Sequence, residues 1–360
     1  MSRTGYVFEE KCMWHEPGVI NFSEWMEPTE FWENSHTKRR IHNLLNVSGF
    51  IDELTKIRAR PATKEEITKF HTERYHDQIK RDSDANGGEG GELAPFSKRG
   101  YEIACLSAGG VIAATEAVIR GDVDNAYCLV RPPGHHAEAD RGRGFCIFNN
   151  IAIAALHART LGPAYQRIAI VDYDVHHGNG TQDAFWNDPN CLFISIHQDN
   201  NYPADSGFAT EIGGERAVGS TINIPLPPGS GTGCYAYAMQ RVVLPALERF
   251  KPDLIFVSSG FDASYADPLA SMMMSSDGFR DIATQLKDAA IRLCQGKIIF
   301  AHEGGYSKDY VPFCALAVVE ALVGKRSIVQ DECIDEVNRW GYQVLQAHQA
   351  SVINLVAEMH

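Results

Sequence analysis

"RIAIVDYDVHHGNGTQD", Arg167 to Asp183, opens as an apolar, β-branched run and changes character within a few residues. "RIAIVDYD" reads as a strand of a parallel sheet, apolar on both faces, and the glycines of "HGNG" end it. Alternate residues of a strand share a face, so Asp172, Asp174 and His176 are expected to point the same way while the chain stays extended. Such groups at the carboxyl edge of a buried strand repel one another and lose hydration, and a bound cation removes both penalties. A buried Asp–His hydrogen-bonded pair is the simpler reading of Asp174 and His176 alone, because D-x-H spacing carries little information. The choice depends on the rest of the chain.

The 360 residues are 44% hydrophobic and 22% charged, as a globular protein with a sizeable core requires. α/β folds of this length often form one domain. We read 1–360 as a single domain, with 1–45 as an N-terminal covering segment and 325–360 as a C-terminal helical extension. A formal net charge of −13 argues against a nucleic-acid partner and suits a cationic substrate. The nine cysteines are scattered without a C-x-x-C pair, so neither a zinc ribbon nor a disulfide framework is indicated. Reduced thiols in a cytoplasm fit best. "MSRTGYVFEEKCMWHE" has no apolar signal core, and no stretch approaches membrane-spanning length. A soluble cytoplasmic protein without a membrane partner is expected.

No internal repeat or long low-complexity linker breaks the chain. "AYCLV", "RIAIVDYD", "CLFISIH", "DLIFVSSGFD" and "KIIFAHEGG" are the clearest strands, and helical patterns cover Gly100 to Arg120, Asn149 to Leu161, Gly233 to Phe250, Asp277 to Gln295 and Val311 to Val323. Strands alternating with helices predict an α/β fold, a parallel sheet with helices on both faces. Ligands then sit beyond the carboxyl ends of the strands, where every chemically interesting residue of this chain falls. "CMWHEPGVINFSEWMEPTEFWENSHTKRR" lacks periodicity and reads as an ordered loop over the surface. "DANGGEGGELAP" lacks the lysine of a phosphate loop and carries two glutamates. "DECIDEVNRWGYQVLQAHQASVINLVAEMH" reads as an amphipathic helix packed on the domain or on a neighbouring subunit, so a homo-oligomer stays open.

In "LVRPPGHHAEADRGRGFCIFNN", Pro132, Pro133 and Gly134 stop a strand and stiffen the turn that presents His135 and His136. A bare HH pair is most often a surface feature, but after a rigid turn at a strand end acid–base work competes. "SSGFDASYADPL" offers Asp262 at the end of another strand as a third metal ligand, and "HEGGYS" places Tyr306 after two glycines that leave its position adjustable.

Together "RPPGHH", "GFCIFNN", "VDYDVHHGNGTQD", "SIHQ", "SGFDASYADPL" and "EGGY" resemble the histone deacetylase family of zinc amidohydrolases, from about Tyr101 to Val323. "HGNG", "SGFDA" and "EGGY" look like class II and its bacterial amidohydrolase relatives. The resemblance implies the arginase–deacetylase α/β fold with a mostly parallel eight-stranded sheet. It implies one catalytic Zn2+ on Asp174, His176 and Asp262, with a position left open for water and a carbonyl. It further implies that Asp172 backs His135, and that Asp172 and Ser195 border a structural K+. His177 is expected to point away from the zinc as a packed imidazole. His136 is implied as general base and then acid, His135 as electrostatic helper and Tyr306 as oxyanion donor. Phe145 and Phe208 match the walls of a narrow tunnel, with Gly144 and Gly305 beside it; ordinary packing is the reading without the resemblance. Glu89 and Glu92 are candidates for a rim acidic residue that holds substrate amides, against simple solvation in their loop.

One departure stands out. Class I enzymes place an aspartate where this chain has Asn179, and an asparagine orients an imidazole without stabilising its charge as a carboxylate does. The expected partner is an acyl-lysine peptide or protein, or another acetylated amine. An acetylpolyamine amidohydrolase with the same machinery stays open, and so does a silent module that binds acylated ligands. A ureohydrolase does not fit, because its D-x-H-x-D motif would need an aspartate where Gly178 stands.

Overall fold

Eight strands form one sheet in which every neighbouring pair is parallel. In chain order they are β1 (Thr4–Val7), β2 (Leu54–Ile57), β3 (Asn125–Cys128), β4 (Ile168–Asp172), β5 (Cys191–Gln198), β6 (Thr221–Leu226), β7 (Leu254–Ser259) and β8 (Ile298–His302). This computed structural model describes residues 2–21 and 23–360; Met1 and Phe22, the latter within the expected covering loop, lie outside it. Across the sheet the order is β6-β5-β4-β7-β8-β3-β1-β2.

The central strands are apolar on both faces because both faces are covered. Ile168 and Ile170 of β4 join Phe193, Phe256 and Ile299 in one core, while Ala169 and Val171 join Ile194, Val257 and Phe300 in the other. This is the two-residue period of a strand read into two cores. Withdrawing each such valine, isoleucine or phenylalanine side chain from water contributes roughly 1.5–3 kcal/mol. Helices Gly100–Arg120 and Asn150–Thr160 pack on the first core, and Ser276–Cys294 and Val311–Val323 on the second. The stretch expected to be one helix over Gly233 to Phe250 comprises Thr232–Ala238, a π turn at Met239–Val243, and Leu244–Phe250.

Three sequence expectations need correction. Helix Gly100–Arg120 is long and apolar enough to cross a membrane by length and composition, but 72% of its apolar window is buried and it serves as a core helix. The first 45 residues do more than cover the surface, since Thr4–Val7 is an interior strand between β3 and β2, and His36–Val47 is a helix. "TGYV" is too short to show periodicity. A Cβ on its Gly5 would stand 2.4 Å from Ile57 Cδ1, so the end of the Ile57 side chain would have to move aside. Near the C-terminus only Ala347–Met359 is a long helix, capped by reciprocal Gln346–Gln349 hydrogen bonds; the preceding residues form short turns around Gly341.

The connectivity fixes where a ligand can bind. From β4 the chain runs outward to β5 and β6, then returns to β7 on the other side of β4 and continues to β8. The order reverses between β4 and β7, so the loops beyond their carboxyl ends part and leave a crevice.

Candidate active site

β4 ends at Asp172, and the chain bends through Asp174 to His176. The expected common face for Asp172, Asp174 and His176 therefore does not form. Asp172 turns to His135, whose Nδ1 donates to its Oδ2 at 3.0 Å. Asp174 and His176 instead meet Asp262, which follows β7, with one ligand atom from each residue inside a 4.8 Å cluster. His176 Nδ1 lies 3.1 Å from Asp174 Oδ1 and 3.1 Å from Asp262 Oδ2. Backbone amides aim the carboxylates: the Gly304 N–H donates to Asp174 Oδ2 at 2.8 Å, and the Val175 N–H to Asp262 Oδ1 at 2.9 Å.

The glycines of the motifs are steric requirements of this cluster. A Cβ on Gly260 would stand 2.0 Å from Asp174 Oδ2, one on Gly304 2.2 Å from Asp262 Oδ2, and one on Gly178 2.2 Å from Asp172 Oδ2. Burial opposes charge on His176, yet Asp262 and Asp174 outweigh it and push the imidazole up to about 10. Burial and the charge of Asp174 raise Asp262. Two oriented carboxylates and one imidazole nitrogen fit a zinc-type ion in donor chemistry.

The paired histidines differ in charge environment. Burial disfavours the charged form of His135, but Asp172 and Asp174 outweigh it and push it up to about 10. Burial pushes Asp172 up to about 6 against the pull of His135. Burial, with His135 and His176 nearby, holds His136 well below its ordinary value, so this imidazole stays neutral. Its Nδ1 lies 2.8 Å from Asn179 Oδ1. Glu303 of "EGGY", to which the motif alone assigns no role, fixes the turn beneath both rings. Its Oε2 accepts from Gly134 N at 2.7 Å and His135 N at 3.1 Å.

A cavity of about 200 Å3 opens on this group and is lined by His136, His176, Tyr306, Gly144 and Phe145. Tyr306 is pinned rather than adjustable: its N–H donates to Asp267 Oδ2 at 2.7 Å, and its ring meets Phe145 edge-on at 5.8 Å. Gly305 has φ +119°, a conformation that favours glycine. Burial, then the carboxylates of Asp262 and Asp174, raise the Tyr306 phenol well above its ordinary value, which keeps its O–H a donor. Phe208 does not line this cavity. It is 51% exposed and borders a separate pocket. Tyr202 forms the wall instead, its ring 5.1 Å from that of His136 and perpendicular to it. An aromatic residue before the proline of "NYPAD" was the available signal. Ile20, Trp32, Leu93, Asn201 and Leu269 complete the lining, and none of them stood out in the sequence.

Neither rim glutamate reaches the cavity. Glu89 Oε1 closes its own loop by accepting from Ala94 N at 2.7 Å and Gly91 N at 3.2 Å. Glu92 pairs with Arg143 Nε at 2.9 Å, and its carbonyl accepts from Gly144 N, which straps the loop to the cavity wall. Ser195 stands opposite Asp172 in the sheet register, with its Oγ 2.9 Å from His197 Nδ1. His177 points away from the cluster, Nδ1 toward Ser206 Oγ and Nε2 toward Gln182 Oε1.

A parallel sheet whose switch point carries this constellation defines the arginase–deacetylase class of α/β hydrolytic folds. The crystal structure of the HDA15 HD domain superposes with a TM-score of 0.88 at 31% identity, covering 99% of this chain and 94% of that one. The family profile described as the histone deacetylase domain matches residues 31–322. Over 340 residues the chain is 47% identical to the histone deacetylase-like amidohydrolase of Pseudomonas aeruginosa, spanning 92% of this chain and 89% of that protein. It is 34% identical over 333 residues to a probable deacetylase of Archaeoglobus fulgidus, spanning 89% and 86%. The chain belongs to the histone deacetylase family.

Proposed function

We propose that this hydrolase is zinc-dependent and removes acetyl or related acyl groups from the side-chain amine of acyl-lysine. The observation that carries the reading is the convergence of His176, His136 and Tyr306 on one narrow cavity, with Asp174 and Asp262 behind it. Asp174, His176 and Asp262 would hold the zinc, which when bound supplies Lewis-acid polarisation of the acyl carbonyl and acidifies a water. Neutral His136 takes the proton from the attacking water and returns it to the departing amine. Tyr306 donates its O–H to the oxygen on which charge accumulates. His135, held by Asp172, keeps a positive group beside the reacting centre. Phe145 and Tyr202 sheathe the alkyl stem of the substrate.

Asp172 and Ser195, opposite each other on adjacent strands, are the side chains for a structural K+. Nine unpaired thiols, eight of them buried, suit a reducing cytoplasm. Of the two rim glutamates, Glu92 is the better candidate to hold substrate amides, since its loop is strapped to Gly144. Acetylpolyamines remain the competing substrate class.

The test is an assay of purified protein on an acetyl-lysine peptide and an acetylpolyamine in parallel, before and after chelation and zinc return. Activity that is lost on chelation, restored by zinc and higher on the peptide is expected. Asp262→Ala should leave a folded, zinc-depleted and nearly inactive protein. Full zinc content in that variant would remove Asp262 from the ligand set, and chelator-resistant turnover would end the metal reading.

A further inference from the structure

The glutamate that follows the histidine pair in "HHAEADRGRG" has no part in the chemistry above, yet it lies against Asn179. Asn179 Nδ2 donates to Glu138 Oε1 at 2.8 Å and to the His136 carbonyl at 3.3 Å. Both partners only accept hydrogen bonds. Turning the amide over would bring its oxygen against a carboxylate and a carbonyl, so Asn179 Oδ1 must face His136 Nδ1. An oxygen there demands a proton on Nδ1, which leaves the lone pair of the neutral ring on Nε2.

Glu138 is itself held. Arg141 donates from Nε to Oε2 at 2.6 Å and from Nη2 to Oε1 at 3.1 Å, and Arg143 Nη1 donates to Oε1 at 3.2 Å. Arg143 in turn bonds Glu92 at 2.9 Å and Asp205 at 3.0 Å, so loops around the cavity converge on this one side chain. The backbone contributes as well, since the Glu138 N–H donates to the Arg141 carbonyl at 3.0 Å.

We propose that Glu138 is a positioning residue which, through the Asn179 amide, sets the tautomer of His136 and keeps Nε2 free toward the cavity. The carboxylate that class I relatives are expected to place directly on this histidine is here one residue further out, with an amide as the link. An amide can bind in two orientations and a carboxylate cannot be turned wrongly, so only the asparagine arrangement needs an orienting group. The inference rests on the reading of His136 as the base.

The experiment compares zinc-loaded wild type, Glu138→Ala, Glu138→Gln, Asn179→Asp and the double variant Glu138→Ala/Asn179→Asp. Glu138→Ala should lower kcat about 10- to 100-fold with little change in KM, the scale on which outer partners of catalytic groups act. Glu138→Gln keeps an acceptor and should lose less. The double variant should recover most of the turnover, because an aspartate accepts from Nδ1 without being oriented. Nitrogen-15 shifts of the His136 ring, assigned by loss of the signal in His136→Asn, give a readout independent of turnover. They should show Nδ1–H in wild type and a growing Nε2–H fraction in Glu138→Ala. Wild-type kcat in Glu138→Ala overturns the proposal, as does a slow variant whose tautomer is unchanged and whose turnover Asn179→Asp does not recover. If the wild type hydrolyses no amide and the tautomer still shifts, the catalytic reading fails and the relay stands.

Discussion

Glu33→Gln should destabilise the whole fold in a way that depends on pH. Glu33, Arg131 and Lys38 are each 1% exposed, two cations around one carboxylate. Arg131 Nε donates to both Glu33 oxygens at 2.9 Å, and its other nitrogens reach the carbonyls of Glu33, Met13 and His15. Lys38 Nζ stands 2.9 Å from Glu33 Oε1 as an ion pair. The group ties the N-terminal segment to the turn that presents His135 and His136. Burial alone would raise Glu33, but Arg131 and Lys38 outweigh it and lower its pKa from 4.5 to about 2. A depressed carboxylate contributes stability that is fully present above its unfolded pKa and is lost as pH falls through the folded one. Holding the carboxylate that far below its ordinary range contributes about 3 kcal/mol. The amide would leave two buried cations without a counter-charge, a loss of about 3–5 kcal/mol near neutral pH. Urea unfolding midpoints of both proteins, measured from about pH 6 to about pH 3, check this. The gap should be widest at the upper end and narrow progressively below about pH 4.5, where Glu33 of the unfolded chain takes up a proton that the folded chain does not accept until about 2. A gap that is constant across the range, or absent throughout, would refute the reasoning.

Three further outcomes test the site. Tyr306→Phe keeps the ring edge against Phe145 and deletes only the donor, so turnover should fall ~100- to 1000-fold while hydroxamate affinity changes far less; unchanged kcat would assign the oxyanion to another group. Gly304→Ala adds a carbon 2.2 Å from Asp262 Oδ2 and 2.8 Å from Asp174 Oδ2, so metal analysis should find the folded protein zinc-poor, and full occupancy would contradict the cluster geometry. Tyr202→Ala should raise KM for an acetyl-lysine peptide by roughly 10-fold, about 1.4 kcal/mol of lost aromatic contact, while Phe208→Ala leaves it unchanged; the reverse pattern would return the wall to Phe208.

The sheet was legible where burial on both faces imposes continuous apolar runs, as in β4, β5, β7 and β8. It was illegible at β1 and β2, where "TGYV" and "LTKI" are four residues each and earn their place by pairing rather than by composition. The helix Gly100–Arg120 was found to the residue, yet its apolar length was underrated, because a helix inside a large core and one inside a bilayer meet the same compositional demand. Tertiary pairing is a property of two distant segments. No window of one segment contains it.

The site divides along the same line. Asp174, His176 and Asp262 could be matched from motifs because each sits within a few residues of a strand end, where position along the chain fixes position in space. Asp172 misled the periodic argument for the converse reason: the strand stops on it, so the two-residue alternation cannot be carried through to Asp174 and His176. Phe208 and Tyr202 lie in the long connection after β5, which no periodicity describes, and only its folding brings Tyr202 over His136. Glu138 is the sharper case. Its sequence neighbours are His135 and His136, but its proposed effect passes through Asn179, 41 residues away, and through two arginines that lock its rotamer. A residue that acts by orienting another carries no local signature of its own. The direction in which an amide can donate, traced from acceptor to acceptor, is what makes its role readable.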